Sequence, residues 1–328
     1  MADEPVKEVD GDYDVTVVIT CYNHEKYVRT ALEAAFGQTY RRCRIHVVDD
    51  ASKDRSVRTI EESLACATLP TTFDPHPDNR GLCRSLNDAL AGISTKYVSF
   101  MSADDWMEPT RVEELVAYIE ALGDEYGVVY SDAYLADEAG DRLPGSYLDH
   151  SETPVGDVFE DLIEFNSIPA PTVLVRRSLY DRLGGYDESL AFEDYDMWLR
   201  MATVTKFGYL DRKLVTYRGV PGSMLDNLYK NRDVYADSLI RCQMKHFGRS
   251  ASADRRIADF VGGTSKELYL EGRSSAVTAG ELRRVFAVDR SYRTLLYVLL
   301  ASAGVPGRFL SRTVDRVRRL RSKVRSWT

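Results

Sequence analysis

The chain has 328 residues, 44% of them hydrophobic and 29% charged, and a formal net charge of −8. That length suits one large α/β domain with an appendage, and the composition is that of an ordinary globular chain rather than a disordered or fibrous one. The five cysteines never form CxxC, the opening MADEPVKEVDGDYD is acidic, and no apolar run approaches the roughly 20 residues of a bilayer span, so a disulfide framework, a zinc site, secretion and a membrane-spanning helix are not expected.

Residues 1–12 read as a flexible leader. VTVVIT (15–20) is a short β-rich run, and residues 25–37 have helical period. IHVVDD (45–50) is a second strand, followed by a helix over 54–66. TTFD (71–74) is a weak third strand ahead of a helix over 81–93. YVSFM (97–101) is a fourth strand, Pro109 suits the first turn of a helix running to about Leu122, and VVYSD (128–132) closes this half. Such alternation predicts a mostly parallel sheet with right-handed crossovers. Beyond it, LADEAGDRLPG (135–145) suggests a hairpin or excursion, TVLVRR (172–177) a strand and LGGYDESL (183–190) a glycine-rich turn. AFEDYDMWLRMA (191–202) reads as an acid-led helix, and GYLDRKLVTYRG (208–219) returns to β character. From residue 224 the pattern is helical. The expected organisation is a catalytic domain over 13–225 and a helical region over 226–328.

In sheets of this kind ligands bind outside the carboxyl ends of the strands. Polar groups collect at those ends: Thr20-Cys21-Tyr22-Asn23 after the first strand, Asp49-Asp50 after the second, and Asp104-Asp105 in FMSADDWMEP after the fourth. Two adjacent carboxylates repel, so something positive must reach Asp104 and Asp105. A nucleotide-sugar would use such a rim. Asp50 can accept the imide N–H of uracil while Tyr22 stacks on the base. Asp104 and Asp105 can hold a ribose hydroxyl and a Mg²⁺ or Mn²⁺ ion, which favour oxygen ligands. Asp194, at a helix start, can act as a general base. Other residues have plainer readings. Asp54 suits a helix cap, Trp106 and Trp198 suit packing, Cys21 a small buried filler, and the five histidines the surface or loops.

These segments resemble the family 2 glycosyltransferases, which have the GT-A fold. VTVVITCYNHEKYVRTALEAAFGQTY is similar to that family's opening strand and helix, and HVVDDASKD to its uracil-contacting acids. NRGLCRSLNDAL resembles its N-x-G…N segment, YVSFMSADDW its DXD-type metal motif, FEDYDMWLR its ED catalytic-base motif and VTYRGVPGSM its Y-R segment. Together they cover about residues 13–225 in family order. The resemblance implies an inverting transfer from a nucleotide-sugar, expected to be a UDP-sugar, to a hydroxyl of a glycan or lipid-linked glycan in surface polysaccharide or glycoconjugate assembly. It assigns Asp194 as the base, and Thr20, Tyr22 and Asp50 as nucleoside contacts, with Asn23 and Asp49 of the same rim counted beside them. Arg80 becomes a phosphate or base contact, and Asp104 and Asp105 become ribose and metal ligands. The chain departs from many members at Ser102, where they have the first acid of D-x-D-D, and at Val220, where they have a histidine. Fewer protein ligands are therefore expected on the metal. Two alternatives stay open: a catalytically weak or inactive sugar-nucleotide-binding protein, and a sugar-phosphate nucleotidyltransferase, although TCYNHEKY lacks the glycine-rich loop of the latter.

Charge is uneven along the chain. Residues 281–328 hold twelve Arg/Lys and three acids, a net of +9 that leaves −17 on residues 1–280. No aromatic–basic interleaving points to nucleic acid. An apolar stretch (295–305), a glycine–proline break and spaced arginines suggest an anionic membrane surface, and hence a cytoplasmic enzyme peripheral on the cytoplasmic face. A solvated helical face is the plain alternative.

Overall fold

The computed structural model describes residues 13–223, 231–271, 277–290 and 292–305, and the chain divides into two compact units, Met1–Ser223 and Met224–Thr328. The expected leader and the arginine-rich stretch from residue 306 lie outside the described residues.

In the first unit the chain begins with β1 (Val15–Cys21), α1 (Val28–Phe36), β2 (Cys43–Asp49), α2 (Ser56–Leu64), β3 (Thr71–Pro75), α3 (Leu82–Gly92) and β4 (Tyr97–Ser102). There follow β5 (Trp106–Met107), α4 (Arg111–Leu122), β6 (Tyr126–Ala136), α5 (Phe159–Glu164), β7 (Leu174–Arg176), α6 (Ser178–Leu183), α7 (Asp194–Ala202) and β8 (Lys206–Arg218). The strands form one sheet in the order β3-β2-β1-β4-β7-β6-β8-β5. β1 pairs in parallel with β2 on one side and β4 on the other, and β6 pairs in parallel with β8. β7 is antiparallel to both its neighbours, β4 and β6, and β5 is antiparallel to β8.

β1 can sit at the centre because VTVVITC buries nearly every side chain, the pattern of a strand covered on both faces. α1 lays Val28, Ala31, Leu32, Ala35 and Phe36 on it at helical spacing. α1 begins later than its period suggests because His24 O accepts the N–H groups of Tyr27 and Val28 in a preceding turn. β5, α5 and α6 were not foreseen; each is too short to show a period. Bridging Ala136 to Arg142 makes the expected hairpin.

One core residue has no apolar precedent. Arg111 is fully buried at the start of α4, where Nη2 donates to Ser99 Oγ and Pro171 O, both at 2.7 Å. Burial pulls it down to about 10. It joins α4 to β4 and to the short 3-10 turn Ala170–Thr172.

The second unit contains α8 (Arg232–Met244), α9 (Ala251–Leu270), α10 (Val277–Asp289) and α11 (Tyr292–Ser302). Ser250 caps α9, its Oγ accepting Ala253 N at 3.0 Å. α9 packs on α10 and α10 on α11, burying Ile257, Val261, Leu282 and Val285. Leu295, Leu296 and Leu299 of α11 stay exposed, at 37%, 53% and 58%. Among the described residues no helix is long and apolar enough to cross a membrane.

Candidate active site

The pairing of β1 with β2 on one side and β4 on the other makes a topological switch point, and the polar rim of the sequence gathers at its carboxyl end. Thr20 is half-buried there, and its carbonyl accepts Ala103 N at 2.8 Å, which ties the rim of β1 to the acid pair. Tyr22 is 44% exposed and offers its ring to a ligand rather than to the core. Asn23 takes a left-handed backbone (φ 57°), which its side chain tolerates, and its Oδ1 accepts Lys53 N at 2.7 Å. It therefore clamps the loop after β1 to the loop after β2.

The two acids after β2 separate in role. Asp49 is fully buried, with Oδ1 accepting Ser52 N (2.8 Å) and Oδ2 accepting Ser52 Oγ (2.6 Å). It closes the turn and shows no surface to a ligand. Asp50 holds the loop before α3: Oδ1 accepts Arg80 N and Oδ2 accepts Gly81 N, each at 2.8 Å. Burial works to raise its pKa, but those N–H groups and His76 outweigh it and hold the carboxyl below its usual range. The Arg80 side chain turns instead to α3, donating to Asp88 at 2.8 Å. His76 and His246 lie in loops, as expected of the histidines, but are buried there, each 8% exposed; His46, half-buried within β2, departs from that expectation. The ring of His76 fills the space behind Asp50, with Nδ1 3.3 Å from its Oδ1.

Asp104 and Asp105 receive their positive partner from the far end of the sheet. Arg218, the last residue of β8, donates N–H to Asp105 Oδ1 and Nε–H to Asp104 O, both at 2.9 Å. Its guanidinium lies 4.6 Å from the ring centre of Trp106 and 4.9 Å from that of Tyr27, so Trp106 has an arginine to stack on as well as a packing role. Trp198 is buried as expected, and so is Cys21, whose thiol burial pushes up to about 12.

Burial and then Asp104 push Asp105 well above the usual carboxylate range. Apart from Arg218, no described residue donates to its carboxylate, and none donates to that of Asp104. Two adjacent, under-supplied carboxylates are a hard-oxygen donor set that fits Mg²⁺ or Mn²⁺. Among the described residues no cluster of three or more Asp, Glu, His or Cys could hold a metal, so a bound ion would take its other ligands from the substrate and water.

Asp194 begins α7. Its Oδ1 accepts Tyr195 N at 2.6 Å, and its Oδ2 accepts Asn166 Nδ2 at 3.2 Å. Burial raises its pKa, and burial together with Asp194 raises that of Glu193, whose Oε2 is buried with no donor. Tyr217 lies within electrostatic range of both groups of acids: its hydroxyl is pushed up by burial and then by Asp105, Tyr147, Asp104 and Asp194. Tyr147 packs edge-on against its ring with centroids 5.3 Å apart.

Sequence reading assigned no role to Asn166, His76, Tyr217 or Arg218, nor to Asn87 of the N-x-G…N segment. Asn87 Oδ1 accepts Tyr186 N (2.7 Å) while its Nδ2 donates to Tyr186 O (3.0 Å), so it grips the turn that leads into Glu193-Asp194. The Y-R and N-x-G…N motifs were the available signals for Arg218 and Asn87. Asn166 and His76 had none.

Comparison with known proteins agrees with this geometry. The family model described as glycosyl transferase family 2 matches residues 16–183. An uncharacterized glycosyltransferase of Rickettsia prowazekii is 25% identical over 226 residues, covering 66% of this chain and 67% of the relative. One from Haemophilus influenzae is 25% identical over 287 residues, covering 83% and 85%. The putative glycosyltransferase EpsE of Bacillus subtilis is 29% identical and covers 57% and 66%. Relatives from Rickettsia felis, Rickettsia bellii and Rickettsia conorii are longer, and the chain spans 34%, 29% and 34% of them. Among solved structures, residues 1–349 of Staphylococcus aureus TarS in complex with UDP-GlcNAc match with a TM-score of 0.66 at 18% identity, covering 92% of both chains. The mannosyltransferase PcManGT of Pyrobaculum calidifontis, in complex with GDP-Man and Mn²⁺, matches with a TM-score of 0.53 at 16% identity, covering 94% and 90%. The chain is a glycosyltransferase that belongs to glycosyl transferase family 2 and has the GT-A fold.

Proposed function

We propose that the unit ending at Ser223 moves a sugar, with inversion, from a UDP-sugar to a hydroxyl of a glycan or lipid-linked glycan in the assembly of a surface polysaccharide. The observation that supports this reading is that Asp105, Asp104 and Asp194 all lie within electrostatic range of the Tyr217 hydroxyl. On this reading the groups suited to a diphosphate and the group suited to an acceptor hydroxyl serve one site.

Thr20 and the exposed ring of Tyr22 would line the nucleoside, and Asp50, already held ionised by backbone donors, would accept the imide N–H. Asn23 and Asp49 shape the loops that present those groups, and the backbone of Arg80 contributes through Asp50. Asp104 and Asp105 would hold a Mn²⁺ or Mg²⁺ ion, and when bound that ion supplies positive charge to the departing diphosphate. Asp194 takes the proton of the acceptor hydroxyl. The acceptor oxygen bonds to the anomeric carbon from the side opposite the diphosphate, and the bond to the diphosphate breaks with its electron pair. Burial and then Asp194 push Glu193 up to about 8, so near pH 7 it is Glu193 that keeps a proton. Asp194, with two donors, is left as the base.

The relationship to a putative glycosyltransferase named EpsE and the fold shared with a UDP-GlcNAc complex support this substrate class. For location, the exposed leucines of α11 and the +9 of residues 281–328 favour the cytoplasmic face of an anionic membrane. The test is nucleoside diphosphate release from a panel of UDP- and GDP-sugars with Mn²⁺, with the anomeric configuration of the product read by NMR. Inversion with a UDP-sugar is expected. Retention, or no release from any donor, would overturn the proposal.

A further inference from the structure

We infer that Asn166 is a positioning residue for the transfer: its side-chain amide fixes the carboxylate of Asp194 and favours its ionised form. The inference rests on Asp194 being the base.

The orientation of the Asn166 amide is set locally. Its Oδ1 accepts Ile168 N at 3.4 Å, so the oxygen faces its own loop and Nδ2 faces Asp194. Nδ2 then donates to Asp194 Oδ2 at 3.2 Å, while Tyr195 N donates to Oδ1 at 2.6 Å. Each oxygen of the base thus has one donor and keeps a lone pair for an acceptor hydroxyl. The loop carrying Asn166 is tied to the same helix a second time, because Tyr195 Oη donates to Leu162 O of α5 at 2.8 Å. Turning the carboxylate would break its bond to Asn166.

The surroundings give that one amide its weight. Around the Glu193–Asp194 pair stand Tyr186 from the turn before α7, Tyr217 from β8, Tyr180 from α6 and Cys83 from α3, all neutral near pH 7. The acids Asp104 and Asp105 act on the same Tyr217, Arg200 on Tyr180, and Asp187, Glu188 and Asp196 on Cys83. Burial strips water from Asp194 and favours its protonated acid. The donors opposing this at Asp194 are N–H groups, and Asn166 supplies the side-chain one. Removing it should let Asp194 hold its proton to higher pH and weaken the base without touching the donor site.

The experiment follows Asp194 directly. Full-length protein labelled with ¹³Cγ-aspartate is titrated by NMR as wild type, Asn166→Ala and Asn166→Asp, with Asp194→Asn used to assign the resonance. The expected result is a midpoint raised by roughly half a unit to one unit in Asn166→Ala. Asn166→Asp keeps the volume but replaces the donor by an acid, and its midpoint should rise further. Nucleoside diphosphate release from UDP-GlcNAc and GDP-mannose should show the acid limb of kcat moving by the same amount, with KM for the donor unchanged. An Asp194 midpoint unmoved in both Asn166 variants overturns the inference. Turnover retained by Asp194→Asn overturns the base assignment instead, whatever the titration shows.

Discussion

Asp105 should destabilise the protein whenever no cation is present. Its carboxylate is 4% exposed, lies beside Asp104, and receives the single N–H of Arg218. An unfolded aspartate titrates near 4. Asp105 titrates well above that when folded, so above about pH 4 the folded chain keeps a proton that the unfolded chain has released, and stability falls as pH climbs toward the folded value. Each unit of that elevation costs the folded state about 1.4 kcal/mol. Asp105→Asn keeps the volume and an oxygen for Arg218 N, and removes the charge. In EDTA at pH 7.5 the variant should be more stable by a comparable amount, on the order of 1 kcal/mol or more. Mn²⁺ at 100 times its Kd stabilises wild type by about 2.7 kcal/mol, or roughly 5 °C in melting temperature, and should leave the variant unmoved. Scanning calorimetry in EDTA and in Mn²⁺, with and without UDP, measures both effects. A variant that melts at or below wild type in EDTA, or gains as much from Mn²⁺, refutes the reasoning.

Glu193→Gln should raise the melting temperature at pH 8 and leave it unchanged at pH 4. Above roughly pH 4.3 the unfolded glutamate has lost a proton that the folded one retains, and the amide abolishes that difference. Asn87→Ala removes two bonds to the backbone of Tyr186 and an exposed one to Glu188, and should cost about 2 kcal/mol in urea unfolding, near 1 kcal/mol for each of the two backbone bonds. Its turnover should fall at least tenfold while nucleotide affinity by calorimetry holds. Leu296→Glu with Leu299→Glu should reduce flotation of the full chain on anionic vesicles, because the exposed apolar face of α11 is lost while the arginines remain. Equal flotation would mean that this face does not meet the membrane.

The parallel half of the sheet was legible because β1 and β4 are buried along most of their length and read as mainly apolar, β-branched or aromatic runs, and β2 ends in the apolar pair Val47-Val48 ahead of its acids. Pro109, just ahead of α4, marked its start. β7 gave no hint of its direction, since TVLVRR carries no sign of which neighbours it will meet. The acids of the site were legible through motif order. Their different fates were not, because Asp49 and Asp50 differ only in which N–H groups the loops deliver: Ser52 to one, Arg80 and Gly81 to the other. Arg111 was unreadable for a related reason. A charged residue at a helix start suggests solvent, and its burial is explained by Ser99 on β4 and by the carbonyl of Pro171, sixty residues on. His76 likewise acquires its role from Asp50 in the loop after β2.

The central claim is that Asp194 removes the acceptor proton in a site whose donor is held elsewhere. The most direct test measures donor binding and transfer separately in Asp194→Asn, using the nucleotide-sugar that wild type turns over. The amide is isosteric and keeps oxygen as an acceptor for Tyr195 N. Calorimetric affinity for the donor with Mn²⁺ should stay within about twofold of wild type, while single-turnover transfer falls by a factor on the order of 10² to 10⁴, the usual worth of a general base. Transfer at the wild-type rate would contradict the account, and so would a loss of donor affinity that matches the loss of rate.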